Sequence, residues 1–282
     1  MNIWQAVFLG AVQGLTEFLP VSSSGHLVLL QSLLKIKAPG ITFEVMVHAG
    51  TLLAVLVFYF RDLCRIVASF FAELLGLGPR TRGGKTKGVW RNPDSRLALL
   101  VAVGTIPAVT VALLLGSKIE QVFSSPALVA GALLVTGLVL WVSEGSSPGR
   151  RKERDLKVGD ALVVGCFQAA ALLPGLSRSG LTIAAGLRRR FDRPLAARFS
   201  FLLSIPAVGG AVVLDVARIL ESGLKPVWPT LLAGTAAAFV TGIVAIRLVV
   251  GIVKAGRLRH FAAYCWLAGT LALVYYWMAR TP

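Results

Sequence analysis

The sequence is poor in acidic residues and in residues that bind metals or form disulfide bonds. Only 13 Asp and Glu accompany 29 Lys and Arg, and the chain has three histidines and three cysteines. The cysteines, Cys64, Cys166 and Cys265, are isolated in or beside apolar segments. They form no C-x-x-C pair, which excludes a local metal or redox motif of that kind. We interpret them as small apolar packing residues.

The N-terminus also lacks the pattern of a cleaved secretory signal. Such a signal combines a basic start with a small-residue cleavage site, and residues 1–5 offer neither. We therefore expect the N-terminal segment to remain in the mature protein.

Apolar sequence is abundant: the chain is 56% hydrophobic, with a mean hydropathy of +0.76. A helix needs about 20 apolar residues to cross a bilayer. Runs near this length lie at 44–60, 97–116, 126–143, 197–218, 229–249 and 261–279. The sequence therefore predicts an integral membrane protein with six full spans, embedded in a lipid bilayer.

The net charge of +16 is unevenly placed. Most basic residues fall in five clusters, at 61–65, 80–96, 150–157, 188–198 and 247–259. All five can lie on the cytoplasmic side of one topology, as the positive-inside rule requires, with basic loops at 61–96 and 144–157. Nucleic-acid binding is the weaker interpretation, because no basic patch is interleaved with aromatic residues. We expect no nucleic-acid partner.

Two polar passages interrupt the apolar sequence, and they resemble each other. They lie at 10–26 and 165–180, and both read Gly-x-x-Gln, then Leu-Pro, then Ser-x-Ser-Gly. Ionisable residues inside apolar segments are costly and usually indicate a functional site. The first passage carries Glu17 and His26, whereas the second carries Arg178.

The charge pattern predicts that each passage forms a re-entrant helical hairpin. Segment 159–187 has basic residues at both ends and helix breakers around Pro174, so it enters and leaves on one face. The first 37 residues form a similar hairpin from the other face, breaking at Pro20. We predict one all-α membrane domain, 1–282, with inverted repeats at 1–143 and 159–279. Each repeat has one hairpin and three spans, and such repeats place a site near the midplane.

The first passage combines an acid with hydroxyl groups and an imidazole. Gln13 and Glu17 are four residues apart and share a helix face. Glu17 could instead pair with a basic residue simply to be tolerated. If a second helix starts near Ser23, His26 lies one turn on, over the serine hydroxyls, which is a common arrangement for nucleophilic catalysis. Serines at 22–24 also suit the helix N-cap.

The second passage favours phosphate binding. Either hairpin tip presents free backbone N–H groups at a helix N-terminus. Arg178, between Ser177 and Ser179, adds a guanidinium that can bind phosphate bidentately. An ordinary ion pair with Glu17 is the alternative, and the two roles are compatible. Such a site suits a lipid-borne phosphate, whose tail can lie between helices.

Two histidines lie outside these passages. His48 follows Glu44 by four residues, so the pair could ligate a metal, although a satisfied core histidine is the commoner case. His260 follows Arg259 at a predicted cytoplasmic helix start and is interpreted as interfacial.

The motifs resemble those of a known family. Gln13-x-x-x-Glu17, Pro20-Val-Ser-Ser-Ser-Gly-His26 and Pro174-Gly-Leu-Ser-Arg178-Ser-Gly resemble the signatures of bacterial undecaprenyl-diphosphate phosphatase of the bacitracin-resistance type. The resemblance covers essentially the whole chain. It implies hydrolysis of a polyprenyl diphosphate lipid, recycling of the cell-wall lipid carrier, and a multi-pass protein of the bacterial inner membrane. Its site would open to the periplasmic side.

Site residues follow from the resemblance position by position. The implied catalytic residues are Glu17, Ser23, His26 and Arg178. The implied phosphate-binding residues are Gln13, Ser22, Ser24, Gly25, Ser177, Ser179 and Gly180. The family's divalent cation, Mg²⁺ or Ca²⁺, would bind Glu17. The family pattern allows Glu or Gln at the first position of this motif, and because Gln13 stands there, Glu17 is the one carboxylate of the motif. No organic cofactor is expected.

Several alternatives stay open at this stage. Ser23 or His26 could attack the phosphorus, or either could activate a water molecule. A transporter or flippase of a phosphorylated lipid would share the repeats and the arginine, but it would not need a serine and a histidine beside a carboxylate. The protein could also form a homodimer.

Overall fold

The computed structural model describes residues 1–34, 40–77, 92–123, 125–145, 149–221 and 227–278. Regular structure in these ranges is helical, apart from one isolated β-bridge between Arg151 and Phe191. The helices are α1 (Ile3–Phe18), α2 (Ser23–Leu33), α3 (Gly40–Phe58), α4 (Phe60–Leu74), α5 (Pro93–Phe123), α6 (Pro126–Glu144), α7 (Val158–Ala170), α8 (Arg178–Arg188), α9 (Arg193–Glu221), α10 (Trp228–Ala255) and α11 (Leu258–Met278), with a 3₁₀ turn at Glu153–Asp155.

Five helices within the described ranges are long and apolar enough to cross a membrane: α5, α6, α9, α10 and α11. A sixth is counted if α3 and α4, which bend by 77° at their junction, are taken together. The prediction of an all-α, multi-pass membrane protein is confirmed at this level. Five of the six predicted spans fall on one helix each, although residue 279 of the last one lies outside the described residues. The span predicted at 44–60 is mostly on α3, but it passes the bend and ends at the first residue of α4.

One predicted connection is partly helical. The charge pattern predicts a basic loop at 61–96, but α4 occupies its first part and α5 begins at Pro93. The loop prediction is wrong over α4 because this segment is an amphipathic helix, whose apolar residues recur at helical spacing among charged ones. Residues 78–91 of that loop, and 146–148 of the loop at 144–157, lie outside the described residues.

Both polar passages form a helix, a break and a second helix. The first break lies between Phe18 and Ser23, and the second lies between Ala170 and Arg178. The predicted break at Pro20 and the restart at Ser23 are therefore confirmed. Residues 35–37, at the end of the first predicted hairpin, lie outside the described residues.

The first helix of each passage packs closely along a long helix, α1 along α10 and α7 along α5. A Cβ added at Gly10 would lie 2.1 Å from the Gly234 carbonyl oxygen, and one at Gly165 would lie 2.2 Å from the Gly104 oxygen. Small residues allow helix backbones to approach closely in membrane proteins. The glycine that opens each polar passage therefore makes the same kind of contact.

Aromatic packing fixes the C-terminal end of α1. Phe18 is buried and meets the Phe201 ring of α9 edge to face, with centroids 5.7 Å apart. This contact places the residue that follows Glu17 against the core.

Of the cysteines, Cys265 is buried, but Cys64 and Cys166 are exposed. The packing interpretation therefore holds only for Cys265.

A buried carboxylate anchors the base of the second hairpin. Asp160, near the start of α7, is fully buried and forms ion pairs with Arg151 (2.5 Å) and Arg189 (2.7 Å). Arg189 directly follows α8, so the pairs join the two ends of the α7–α8 hairpin. The ends of α7 and α8 that lie away from the tip are thereby held together.

Candidate active site

Glu17 is the centre of a buried polar cluster. Its Oε2 accepts hydrogen bonds from Gln13 Nε2 at 2.9 Å and from Ser23 Oγ at 2.6 Å. Its Oε1 accepts from Arg178 Nη2 at 2.5 Å. The predicted common face of Gln13 and Glu17 is confirmed, and so is the Glu17–Arg178 ion pair. Carboxylate, hydroxyl and guanidinium thus meet at one point.

Each hairpin tip is a serine-capped helix N-terminus. Ser22 Oγ accepts from Gly25 N at 3.2 Å, and Ser177 Oγ accepts from Gly180 N at 3.1 Å. Serine is a favoured N-cap because its hydroxyl satisfies an otherwise free backbone N–H.

These caps make Ser23 and Arg178 the first residues of α2 and α8. Equivalent positions of the two passages therefore hold the two oxygens of one carboxylate, that of Glu17.

The first tip includes an unusual backbone conformation. Ser22 has φ +68°, in the left-handed region that residues with a side chain rarely adopt. Such residues persist where the surrounding structure holds them, and they are common at functional sites. Ser24 Oγ lies 3.4 Å from Ser22 Oγ, so a second hydroxyl borders the cap.

The two tips touch each other. A Cβ added at Gly25 would lie 3.2 Å from Gly175 Cα, and one at Gly180 would lie 3.2 Å from Pro20 Cβ. Ser179 Oγ, which is 3.3 Å from Ser177 Oγ, donates to the Leu19 carbonyl at 3.1 Å. Direct contact between the tips brings the predicted site residues of both passages together.

His26 does not form the predicted contact with a serine hydroxyl. Its Nδ1 lies 2.8 Å from the Ser22 carbonyl oxygen and its Nε2 lies 2.7 Å from Tyr264 Oη. Since a carbonyl only accepts, Nδ1 carries a proton, and Nε2 is hydrogen-bonded to the tyrosine hydroxyl. Among the described residues, no serine hydroxyl bonds to this ring. The prediction is wrong in this detail because the ring is engaged by the Ser22 backbone and by Tyr264 on α11.

His48 lies beside Glu17. Its Nε2 is 3.9 Å from Glu17 Oε2, and its Nδ1 donates to the Glu44 carbonyl oxygen at 2.8 Å. The ring is one-third exposed, unlike a core histidine. The bond to Glu44 uses the backbone and not the carboxylate. His48 therefore belongs to the Glu17 cluster, which the spacing of Glu44 and His48 alone did not indicate.

Two buried polar atoms of the cluster have no hydrogen-bond partner among the described residues: Gln13 Oε1 and Arg178 Nη1. Buried polar atoms are normally satisfied, and exceptions at a site are expected where a ligand completes them. One atom is an acceptor and the other is a charged donor. The cluster therefore offers free groups to both a cation and an anion.

The donor set is small for a metal ion. Within the described ranges, no group of three or more His, Cys, Asp or Glu residues could hold one. Mg²⁺, however, is commonly bound through one or two carboxylates together with substrate phosphates and water. Glu17 with Gln13 Oε1 fits that mode, in which the substrate supplies the remaining oxygens.

Two further residues contribute to the site that no sequence motif predicts. Thr136 Oγ1 on α6 accepts from Ser177 N at 3.1 Å and donates to the Gly175 carbonyl at 3.0 Å, which fixes the second tip. Its polarity within an apolar span was the available signal. Tyr264, stacked on His26 with an interplanar angle of 7°, is far away in sequence, and no motif indicated it.

Five apolar helices long enough to cross a bilayer, and two helix N-termini that meet over a buried carboxylate, define a multi-pass membrane protein with a buried polar site. The chain matches the family described as bacitracin resistance protein BacA over residues 6–271 and belongs to that family. It is 42% identical to an undecaprenyl-diphosphatase of Desulforapulum autotrophicum, covering 97% of this chain and 98% of the relative. An undecaprenyl-diphosphatase of Desulfatibacillum aliphaticivorans is 41% identical, covering 97% and 99%. One of Methanosphaera stadtmanae is 40% identical, covering 97% and 98%.

Proposed function

We propose that this protein hydrolyses undecaprenyl diphosphate to undecaprenyl phosphate and inorganic phosphate. The reaction recycles the lipid carrier of cell-wall synthesis and accounts for the bacitracin resistance after which the family is named. The observation that carries the proposal is the contact of Glu17 with both Ser23 and Arg178. A base, a hydroxyl nucleophile and a phosphate-binding cation together can carry out phosphoryl transfer.

The diphosphate is bound by the converging tips. Arg178 Nη1 is buried and unpaired among the described residues, so it can bond a phosphate oxygen while Nη2 stays on Glu17. Free backbone N–H groups at the starts of α2 and α8 add donors. The candidate ligands around them are Gln13, Ser22, Ser24, Gly25, Ser177, Ser179 and Gly180.

Ser23 is the preferred nucleophile. Its Oγ attacks the terminal phosphorus while Glu17 Oε2, 2.6 Å away, takes the hydroxyl proton. The bond from phosphorus to the bridging oxygen breaks, and undecaprenyl phosphate leaves with that oxygen and its electron pair. Glu17 then passes the serine proton to the departing undecaprenyl phosphate, which regenerates the carboxylate. Water attacks the phosphoserine and loses a proton to Glu17. The bond from phosphorus to Ser23 Oγ breaks, Oγ recovers that proton from Glu17, and inorganic phosphate is released. Arg178 stabilises the charge on the phosphoryl oxygens in both steps.

His26 and direct water attack are the other routes. In a water route, Glu17 would deprotonate water instead of Ser23. His26 is less suited as the nucleophile or base because both its ring nitrogens are hydrogen-bonded away from the serine hydroxyls. We assign it a positioning role, holding Ser22 at the first tip.

A divalent cation, Mg²⁺ or Ca²⁺, is part of the proposal. Glu17 and Gln13 Oε1 would hold it together with substrate oxygens, and it would neutralise charge on the diphosphate. No organic cofactor is needed for this chemistry. Phosphate release after treatment with EDTA, followed by titration with each ion, tests the requirement.

The inverted repeat and the two re-entrant hairpins are also proposals. They are supported by the matched contacts of Gly10 with Gly234 and of Gly165 with Gly104. Helix length adds support, because α1, with 16 residues, extends about 24 Å and α7, with 13 residues, about 20 Å, at about 1.5 Å per residue. If they enter from opposite faces of a core about 30 Å thick, their tips meet near its middle.

We propose that the basic ends lie in the cytoplasm and that the site opens to the periplasmic side of the inner membrane. Trp4, Trp228 and Trp277 are exposed at the ends of α1, α10 and α11 that are away from the basic clusters. Tryptophan is favoured at membrane interfaces, so these residues fit the opposite face.

The decisive experiment measures phosphate release by the purified protein in detergent, with farnesyl or undecaprenyl diphosphate as substrate. Release that depends on enzyme supports the phosphatase. Binding or transport without release, under every metal tested, would favour the transporter. Light scattering of the same sample tests the proposed homodimer.

A further inference from the structure

Helix α4 carries an exposed apolar stripe that the proposed reaction does not use. Its members are spaced by four, three, four and three residues, which places them on one face. All five side chains are exposed: Phe60, Cys64, Val67, Phe71 and Leu74. Exposed apolar faces of this kind usually mark an interaction surface.

The opposite face of α4 is fixed to the protein. Ile66 is buried in the main hydrophobic core, and Arg65 Nε pairs with Asp94 Oδ1 of α5 at 3.1 Å. Asp62 Oδ2 pairs with Arg198 Nε of α9 at 3.0 Å. The helix cannot rotate to bury its stripe without breaking these contacts.

The stripe continues the exposed apolar surface of α3, on which Leu53 and Val57 are each about half exposed. With 19 residues, α3 extends about 28 Å, which is long enough to cross a hydrocarbon core without α4. At Tyr59 the chain bends by 77°, so α4 runs nearly perpendicular to α3. A helix perpendicular to a span lies roughly in the plane of the membrane when that span crosses it steeply.

The depth of this bend can be estimated from α10, which packs along α3. Gly242 of α10 approaches Ala54, one turn before the bend, so Arg247 lies close to the level of the bend. From Trp228 to Arg247 the helix rises about 28 Å. That is close to the thickness of the hydrocarbon core, about 30 Å. With Trp228 at one interface, the bend and α4 lie at the other.

Two arginines at this level are available for a ligand. Arg61 and Arg247 are exposed, and neither forms a salt bridge with another described residue. An arginine exposed at the edge of a hydrocarbon core favours a phosphate headgroup as its partner. Arg61 directly follows Phe60, the first residue of the apolar stripe.

We propose that α4 is an interfacial helix that binds anionic phospholipid on the membrane face carrying the basic clusters. The stripe inserts among the acyl chains, and Arg61 and Arg247 hold anionic headgroups beside it. Interfacial helices of this type bury their apolar face about 5–10 Å into the headgroup region. The inference does not rest on the proposed phosphatase activity.

Cys64 lies within the stripe and gives a direct probe. In a Cys166→Ser variant, Cys64 is the exposed cysteine among the described residues, since Cys265 is buried. The full-length protein is labelled there with an environment-sensitive fluorophore. It is then reconstituted in phosphatidylcholine vesicles containing brominated phosphatidylcholine or brominated phosphatidylglycerol at equal mole fraction.

We expect both brominated lipids to quench the probe, and phosphatidylglycerol to quench it more. The local preference should reach roughly fivefold for each arginine. Arg61→Gln with Arg247→Gln should remove the difference while quenching by phosphatidylcholine remains. Arg218→Gln is the control. It removes a positive charge near the C-terminal end of α9, whereas α4 contacts the N-terminal end through Arg198, so it should preserve the difference.

Three results would overturn the proposal. A probe quenched by neither lipid would show that water or a protein partner covers the stripe. Equal quenching by both lipids would exclude a preference for anionic headgroups. An unchanged difference in the double variant would exclude the two arginines. If labelling Cys64 disturbs the protein, Val67→Cys in a Cys64→Ser, Cys166→Ser background places the probe one turn further along the stripe.

Discussion

Arg178 Nη2 donates a hydrogen bond to Glu17 Oε1 across 2.5 Å, joining residues 161 positions apart in the chain. Both side chains are mostly buried, and Ser23 holds the other carboxylate oxygen. Neither polar passage contains this arrangement alone. The two passages are alike in their scaffold, and they differ at the positions that form the ion pair.

Replacing Arg178 with lysine tests whether the guanidinium is needed beyond its charge. Arg178→Lys keeps the positive charge but loses the planar donors that reach Glu17 and a phosphate oxygen together. We expect kcat to fall roughly 10- to 100-fold, corresponding to about 1.4–2.8 kcal/mol of transition-state stabilisation. Steady-state phosphate release measures this. Wild-type kcat in the lysine variant would refute the need for a guanidinium that bonds both Glu17 and phosphate.

Removing the Ser23 hydroxyl tests the covalent route. Ser23→Ala deletes the proposed nucleophile, and we expect activity to fall at least about 10³-fold. Acid quenching after mixing with substrate labelled in its terminal phosphate should trap a phosphoenzyme in the wild type only. Thr110→Ala, which removes an exposed hydroxyl on α5, is the control and should retain activity. A phosphoenzyme in Ser23→Ala would exclude Ser23, and none in an active wild type would favour direct water attack.

Packing at the start of the first polar passage should tolerate no added methyl group. A Cβ at Gly10 would lie 2.1 Å from the Gly234 oxygen, so Gly10→Ala must separate α1 from α10. We expect a loss of about 1–3 kcal/mol in the free energy of unfolding. Gly131→Ala on α6, where no atom lies within 4 Å of the added carbon, is the matched control. Unfolding in detergent compares the two, and equal stability would contradict the close helix contact.

The base of the second hairpin should depend on Asp160. Asp160→Asn leaves Arg151 and Arg189 without their shared carboxylate, and both arginines are partly exposed. We expect a loss of about 1–3 kcal/mol in the free energy of unfolding. Asp215→Asn, which breaks the more exposed pair with Arg218, should cost no more than about 1 kcal/mol. Thermal unfolding in detergent would contradict the anchoring role if both variants lost stability equally.

The sequence predicted the helical architecture well because its signals are local. Apolar length marked the spans, and Pro20 with the following serines marked the break and the restart at Ser23. Helix α4 is not predicted by charge placement alone. Its apolar residues recur at helical spacing, but the run is too polar to look like a span.

The site was only partly predictable. The spacing of Gln13 and Glu17 fixed their contact, and charge complementarity anticipated the pair with Arg178. The partners of the histidines could not be read in this way. His26 meets Tyr264, 238 positions away, and His48 reaches Glu17 through the packing of α3 beside α1. Such contacts depend on tertiary packing, which no local pattern encodes.

The most direct test of the account is phosphate release from a polyprenyl diphosphate by purified Glu17→Gln, Arg178→Ala and the double variant. Each single variant should lose at least about 10³-fold in kcat/KM. The double variant should be no more than about tenfold worse than the weaker single variant, because groups that act as a unit are not additive. Full activity in Arg178→Ala would contradict the claim that the two passages form one catalytic site.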